Sequence, residues 1–103
     1  MRALSDVSAI VNEVASIVRQ ITSDSSLQVR LFGSWASGNA RPHSDVDIAI
    51  DGPQRVDPVH MFDIRDACDR LPTLLTIDLV DLAATPPAFR EAVRSQWEKT
   101  ATL

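Results

Sequence analysis

The segment 46–50 limits the possible folds most strongly, because polar and apolar residues alternate along it. Successive side chains of a β-strand point to opposite faces, so residues two positions apart share a face. Asp45 and Asp47 should therefore emerge on the same side, whereas the valine and isoleucine side chains of the segment should face a core. The segment runs into Asp51-Gly52-Pro53, which is a strong turn signal. We predict a β-strand with one buried face and one acidic face.

The rest of the chain alternates between helical and strand periodicity, and Ser5 is a plausible N-cap for the first helix. The predicted elements are helices over 5–22, over 57–71 and from 85 onward, and strands over 28–32 and 75–82. The helix over 57–71 is expected to bury its apolar residues Met61, Phe62, Ile64, Cys68 and Leu71. The last helix is expected to present Phe89, Val93 and Trp97 on one face. This order predicts an α/β fold in which a small mixed sheet is packed with helices.

Length and composition exclude several classes of protein. A chain of 103 residues is predicted to form a single domain over residues 1–103. It has no apolar run of the roughly 20 residues that a transmembrane helix needs, and no signal peptide is evident. A single cysteine permits no internal disulfide, which is typical of cytoplasmic proteins. The net charge of −4, with basic residues scattered along the chain, argues against binding to a long nucleic acid.

The spacing of Asp45 and Asp47 indicates a cation site, provided that both carboxylates lie on one face of the strand. Two such close negative charges raise each other's pKa unless a positive charge lies between them. Mg²⁺ prefers oxygen ligands and is commonly held by one or two carboxylates together with substrate phosphates. An Asp-x-Asp pair is also common on the solvated side of an edge strand, so the pair by itself leaves both interpretations open.

Two further features favour a functional site. Gly33-Ser34 follows the first strand, where a glycine lets the backbone approach a ligand and the next turn offers N–H groups to an anion. Asp78 lies between Ile77 and Leu79 in the third strand, and an acid there needs a partner or a metal. Asp81, three positions later, should face the opposite side of that strand or lie at its end.

These motifs, taken in order, resemble the nucleotidyltransferase signature of the DNA polymerase β superfamily. The matching segments are Gly-Ser at 33–38, Asp-x-Asp at 44–48 and the third acid at 77–79. The short chain, the spacer at 40–45 and the tail at 81–90 look most like the minimal nucleotidyltransferases, or MNT proteins. The resemblance covers roughly residues 28–95 and implies the nucleotidyltransferase fold.

The resemblance also implies roles for five residues. Asp45 and Asp47 would bind Mg²⁺, and Asp78 would bind a second metal and help to activate the attacking hydroxyl. Gly33 and Ser34 would hold the triphosphate of ATP. In two-metal catalysis of this kind, the metals activate the nucleophile and neutralise charge on the α-phosphate and the leaving pyrophosphate.

The resemblance implies a protein partner as well. MNT proteins are typically encoded beside a small helical HEPN protein, and the pair resembles a toxin–antitoxin system. The HEPN protein is an RNase toxin, which the MNT antitoxin neutralises by adding AMP from ATP to a toxin tyrosine. A chain this short has little surface with which to enclose two substrates, so a hetero-oligomer or a homodimer is expected.

Two other functions stay open at the level of the sequence. Many MNT proteins carry arginine where this chain has Ser37, although Arg41 could substitute for it. This departure motivates a binding module that inhibits its partner by occlusion, with a weak or inactive site. Nucleotidyl transfer to a small molecule is the third hypothesis.

Two residues near these motifs are expected to have no catalytic role. Trp35 is expected to pack under the turn, and His43 is expected in a solvated loop.

Overall fold

The computed structural model describes residues 6–101, with side chains described to residue 97. The elements in chain order are helix α1 (Val7–Thr22), strand β1 (Gln28–Phe32), helix α2 (Ser34–Ser37), strand β2 (Val46–Asp51), helix α3 (Pro58–Asp69), strand β3 (Ile77–Asp81), a 3₁₀ turn (Leu82–Ala84) and helix α4 (Pro87–Ala101). All the predicted helices and strands are therefore present, and their boundaries differ from the predictions by a few residues.

The three strands of the described region form one mixed sheet in the order β1-β2-β3. β1 is antiparallel to β2, and its last residue Phe32 lies opposite Asp47. β3 is parallel to β2, and Asp78 is the register partner of Asp47. The predicted small mixed sheet is confirmed, and β2 is its central strand.

The ends of α1 are set by local hydrogen bonds. Asp6 is the N-cap, and its Oδ1 accepts a hydrogen bond of 2.8 Å from the N–H of Ser8. Ser5, the predicted N-cap, lies outside the described residues. At the other end Ser23 adopts a left-handed conformation with φ of 52°, and its N–H donates to the Arg19 carbonyl. The predicted end of this helix at residue 22 is confirmed.

Alternation along β2 separates two cores. The larger core lies between one face of the sheet and helices α1 and α3. Its buried residues are Ile10, Val14, Val18, Val46, Ile48, Ile50, Val56, Met61, Ile64, Cys68 and Leu79. A smaller cluster under α4, on the opposite face, consists of Ala49, Leu82, Val93 and the partly buried Phe32. The acidic residues of β2 therefore share a face with the smaller cluster.

The prediction that Phe62 is buried was wrong, since the side chain is 70% exposed. The buried stripe of α3 consists of Met61, Ile64 and Cys68, at helical spacings of three and four. Phe62 follows Met61 directly and is rotated about 100° away from this stripe.

Burial in the same core raises the pKa of the Cys68 thiol to about 11, with a smaller contribution from Asp69. The thiol therefore serves as a packing group of the core.

An ion-pair network around the buried Asp51 carboxylate fixes α4 to the sheet. Asp51, the last residue of β2, accepts hydrogen bonds of 2.8 Å from Nη2 of Arg94 in α4 and 2.8 Å from Nε of Arg30 in β1. Arg94 and then Arg30 hold the pKa of Asp51 below its usual value, although burial acts in the opposite direction. The guanidinium of Arg30 also lies 5.7 Å from the ring centre of Trp97. These contacts attach the second half of α4 to the two strands that lead to the candidate site.

Candidate active site

Asp47 has two acidic neighbours at the end of the sheet where β2 begins. Asp78 lies beside it on the parallel strand β3, and Asp45 precedes it by two positions, just before β2 begins. The pKa of Asp47 is raised, first by burial and then by the negative charges of Asp78 and Asp45. Hydrogen bonding between the Asp47 and Asp78 carboxyls raises it further. The structure thus pairs Asp47 with Asp78, and Asp45 lies near enough for its charge to act on Asp47.

The three carboxylates differ in their exposure. Asp47 is partly buried, whereas Asp45 and Asp78 are exposed. Across residues 6–97, no three acidic, histidine or cysteine side chains lie close enough together to enclose a metal ion as they stand. Bare carboxylates repel one another, and a hard divalent cation would relieve that repulsion. An all-oxygen donor set of this kind fits the chemistry of Mg²⁺.

Gly33 forms the wall of the site opposite Asp47. Its backbone has φ of 77° and ψ of −154°, a combination that only glycine adopts readily. A methyl group added to its Cα would collide with Oδ2 of the Asp47 carboxylate. The glycine therefore provides the close approach that the sequence predicted, although the group approached here is the Asp47 side chain.

The turn after Gly33 is the short helix α2. The Gly33 carbonyl accepts a hydrogen bond of 3.1 Å from the N–H of Ser37, and Gly38 ends the turn in a left-handed conformation with φ of 81°. The Ser37 hydroxyl donates back to the Ser34 carbonyl at 3.2 Å. The hydroxyl of Ser37 is therefore used within its own helix.

Gln96 contacts both backbone groups of Gly33, and the sequence gave no sign of this contact. The Gly33 N–H donates to Oε1 of Gln96 at 3.0 Å, and Nε2 of Gln96 donates to the Gly33 carbonyl at 3.0 Å. The two residues are 63 positions apart, so no local pattern links them. The N–H of Gly33 is thus hydrogen-bonded within the protein, and the anion-binding role expected of the N–H groups at the start of the following turn stays a prediction.

Trp35 joins α2 to the loop that precedes Asp45. Its Nε1 donates a hydrogen bond of 2.9 Å to the carbonyl of Ser44, and its ring packs against the larger core. Ser44 in turn accepts a hydrogen bond of 2.8 Å from the Arg41 N–H through its hydroxyl. The packing predicted for Trp35 is confirmed, but its hydrogen bond to the residue before Asp45 was not foreseen. His43 lies exposed in this loop, as expected.

Asp81 has a structural contact away from the three acids. It is the register partner of Ile50, so it lies on the face of the larger core. Its Oδ2 accepts a hydrogen bond of 2.9 Å from the N–H of Val56. The predicted separation of Asp81 from Asp78 is confirmed.

The sequence and the fold both match known proteins. The family described as "Polymerase beta, Nucleotidyltransferase" matches residues 12–98. The probable protein adenylyltransferase MntA of Haemophilus influenzae is 32% identical over 81 residues, which cover 79% of this chain and 69% of that protein.

Two solved structures share the fold. A crystal structure of a toxin–antitoxin with AMP-PNP aligns with a TM-score of 0.54 at 22% identity, covering 88% of this chain and 83% of that one. A mutant of the toxin–antitoxin MntA-HpeT aligns with a TM-score of 0.52 at 19% identity and the same coverage. Within the described residues, no helix has the length and apolar character needed to cross a bilayer. The family match over most of the chain and the 32% identity lead to one conclusion: the chain belongs to the polymerase β nucleotidyltransferase family.

Proposed function

We propose that the chain is a Mg²⁺-dependent protein adenylyltransferase that acts as an antitoxin. It would transfer AMP from ATP to a tyrosine of a HEPN RNase toxin and so neutralise that toxin. The observation that carries the proposal is the position of Asp47, which lies against Gly33 and within the influence of the charges of Asp78 and Asp45, in a chain of this family. Further support comes from the relative described as a probable protein adenylyltransferase and from the toxin–antitoxin with AMP-PNP, which has the same fold.

Asp45, Asp47 and Asp78 would hold the metal, and the Gly33-Ser34 turn would hold the triphosphate. Bound Mg²⁺ would supply positive charge that neutralises the phosphates and lowers the pKa of the attacking hydroxyl. That hydroxyl oxygen would form a bond to the α-phosphorus while its proton passes to the Asp78 carboxylate, the bond from this phosphorus to the bridging oxygen would break, and pyrophosphate would leave. Asp78 lies exposed on the edge strand β3, where an acceptor can approach, so its carboxylate is suited to orient the hydroxyl.

A partner should complete the site. Two of the three acids are exposed, so the chain by itself leaves the acceptor side open to water. A hetero-oligomer with the toxin would close that side, and a homodimer is the simpler alternative. The free, buried thiol of Cys68 fits a reducing compartment, and we place the pair in the cytoplasm.

The experiment that tests the proposal measures the intact mass of the partner. The HEPN protein encoded beside this chain is incubated with the chain, ATP and Mg²⁺, and its mass should increase by whole AMP units. Asp47→Asn should abolish the increase, whereas Asp63→Asn, an equivalent change on the exposed face of α3, should preserve it. An unmodified partner in the presence of folded wild-type chain would refute adenylyl transfer.

A second candidate is inhibition by binding alone. It is favoured by the open arrangement of the three acids and by the contact of Ser37 with its own helix, where many MNT proteins carry arginine. The Asp47→Asn variant separates the two candidates when it is compared with wild type at equal dose. Undiminished neutralisation of the toxin by this variant would support occlusion, and loss of neutralisation would support catalysis.

A further inference from the structure

Gln96 forms a two-point contact with the turn that borders the candidate site. Its side-chain amide both accepts from the N–H of Gly33 and donates to the carbonyl of Gly33, each at 3.0 Å. Both partners are partly buried, so water competes weakly for these groups. A primary amide is the side-chain group that can satisfy a donor and an acceptor of one residue at once.

This contact is connected directly to Asp47. The Cα of Gly33 lies against the Asp47 carboxylate so closely that even a methyl group would not fit between them. A displacement of Gly33 toward β2 would therefore press on the carboxylate, and a displacement away from β2 would open a gap. Gln96 restrains both movements because it holds the residue by its N–H and by its carbonyl.

The attachment of α4 to the sheet does not depend on this contact. Arg94 binds the buried Asp51, and Val93 is buried with Ala49 and Leu82. These contacts hold α4 in place, so the two hydrogen bonds between the Gln96 amide and Gly33 act mainly on the turn. Loss of the amide should accordingly change the position of the turn, and it should have a smaller effect on the free energy of unfolding.

We infer that Gln96 is a positioning residue for nucleotide binding, which sets the Gly33-Ser34 turn against Asp47. The inference rests on the proposed function, in which that turn and that carboxylate hold the triphosphate and its metal. Gln96 does not touch the reacting atoms. It acts through the backbone of Gly33, and its substitution should change nucleotide affinity.

The test compares the wild-type chain with Gln96→Met, which keeps the side-chain volume and removes both hydrogen bonds to Gly33. Calorimetric titration with ATP and Mg²⁺ should give a Kd about tenfold higher for the variant, which corresponds to the loss of two ordinary hydrogen bonds. Hydrogen exchange of the Gly33 amide should become faster in the variant in the absence of any ligand. The melting temperature should fall by no more than that of Arg94→Met.

Two control variants distinguish positioning from general support. Ser95→Ala changes an exposed neighbour on α4 and should leave the Kd unchanged. Arg94→Met removes another link between α4 and the sheet, and it should lower the melting temperature without weakening nucleotide binding more than twofold. If Gln96→Met does not fold, Gln96→Leu provides the same comparison, because it also removes both hydrogen bonds to Gly33 and adds no charge.

The outcomes separate this inference from the proposed function. If wild type does not bind ATP with Mg²⁺, either by itself or in complex with its partner, the proposed function fails. If wild type binds and Gln96→Met binds equally well, the positioning role is overturned. Equal weakening by Gln96→Met and Arg94→Met would also overturn it, because Gln96 would then only support the fold.

Discussion

Asp47 and Asp78 are register partners on the parallel strands β2 and β3, and their carboxyls lie side by side on one face of the sheet. Burial and the neighbouring acids raise the pKa of Asp47, so its ionised form is disfavoured in the folded chain. The same geometry that suits a cation therefore destabilises the chain when no cation is bound. This conflict can be measured.

We predict that Asp47→Asn stabilises the metal-free chain at pH 7 by about 2–4 °C in melting temperature. A raised pKa in the folded state means that the wild-type carboxyl favours folding at low pH and loses that contribution as the pH rises through the raised value. The advantage of the variant should therefore be largest near neutral pH and should shrink below about pH 4, where the carboxyl is protonated in both states. Thermal melts in chelator at several pH values test this, with Asp63→Asn as the control. A lower melting temperature for Asp47→Asn at pH 7 would contradict it.

Gly33→Ala should be far more damaging than Gly38→Ala. Both glycines have positive φ, but a Cβ at position 33 meets the Asp47 carboxylate, whereas a Cβ at position 38 has no atom within 4 Å. Gly38→Ala should cost about 1–2 kcal/mol of unfolding free energy, which is the strain of a left-handed alanine. Gly33→Ala should cost roughly 2–4 kcal/mol and abolish nucleotide binding, because it adds a collision to the strain. Denaturant unfolding and nucleotide titration measure both quantities, and equal losses in the two variants would contradict the role of the collision.

Trp35→Phe should lower the rate of the proposed reaction, with only a small change in melting temperature. Phenylalanine keeps an aromatic ring in the core but loses the hydrogen bond from Nε1 to the Ser44 carbonyl. The loop that leads into Asp45 would then lose one of its attachments. We expect the proposed adenylyl transfer to slow by about fivefold to tenfold, as for the loss of one neutral hydrogen bond. Initial rates and melting curves are measured on the same preparations, and an unchanged rate would show that the loop is fixed without this bond.

Asp51→Asn should destabilise the chain by roughly 3 kcal/mol, because it leaves the half-buried Arg30 without its anionic partner. Arg94→Met should cost less, since the Arg94 side chain is 45% exposed. The lowered pKa of Asp51 means that its stabilising contribution is present above about pH 4 and disappears as the pH falls through the folded value. The stability difference between wild type and Asp51→Asn should accordingly shrink in acid. Urea unfolding at two pH values tests this, and a pH-independent difference would contradict it.

The sequence predicts the sheet well because the alternation in β2 decides by itself which side chains share a face. That period predicts that Asp45 and Asp47 share a face, and the pairing of β3 with β2 sets Asp78 beside Asp47. The α/β fold with one sheet follows from the same periodicities, and it is confirmed. The roles given to the three acids and to Gly33 and Ser34 stay predictions.

Contacts between distant segments could not be predicted in this way. The amide of Gln96 meets the backbone of Gly33 only because α4 crosses the sheet, and a polar residue on a helix carries no sign of such a contact. Asp51 was assigned to a turn because glycine and proline follow it, although it is the buried end of β2. Phe62 was expected in the core because it is large and apolar, while helix geometry directs it to solvent.

The alternation along the central strand β2 has a consequence for misfolded molecules. A shift of β2 by one residue would turn its carboxylates toward the apolar layer and expose a valine and two isoleucines. Such a molecule would lose its solubility together with its chemistry, because one displacement causes both defects. Misregistered chains should therefore leave solution as aggregates, and the chains that remain in solution should have the correct pairing.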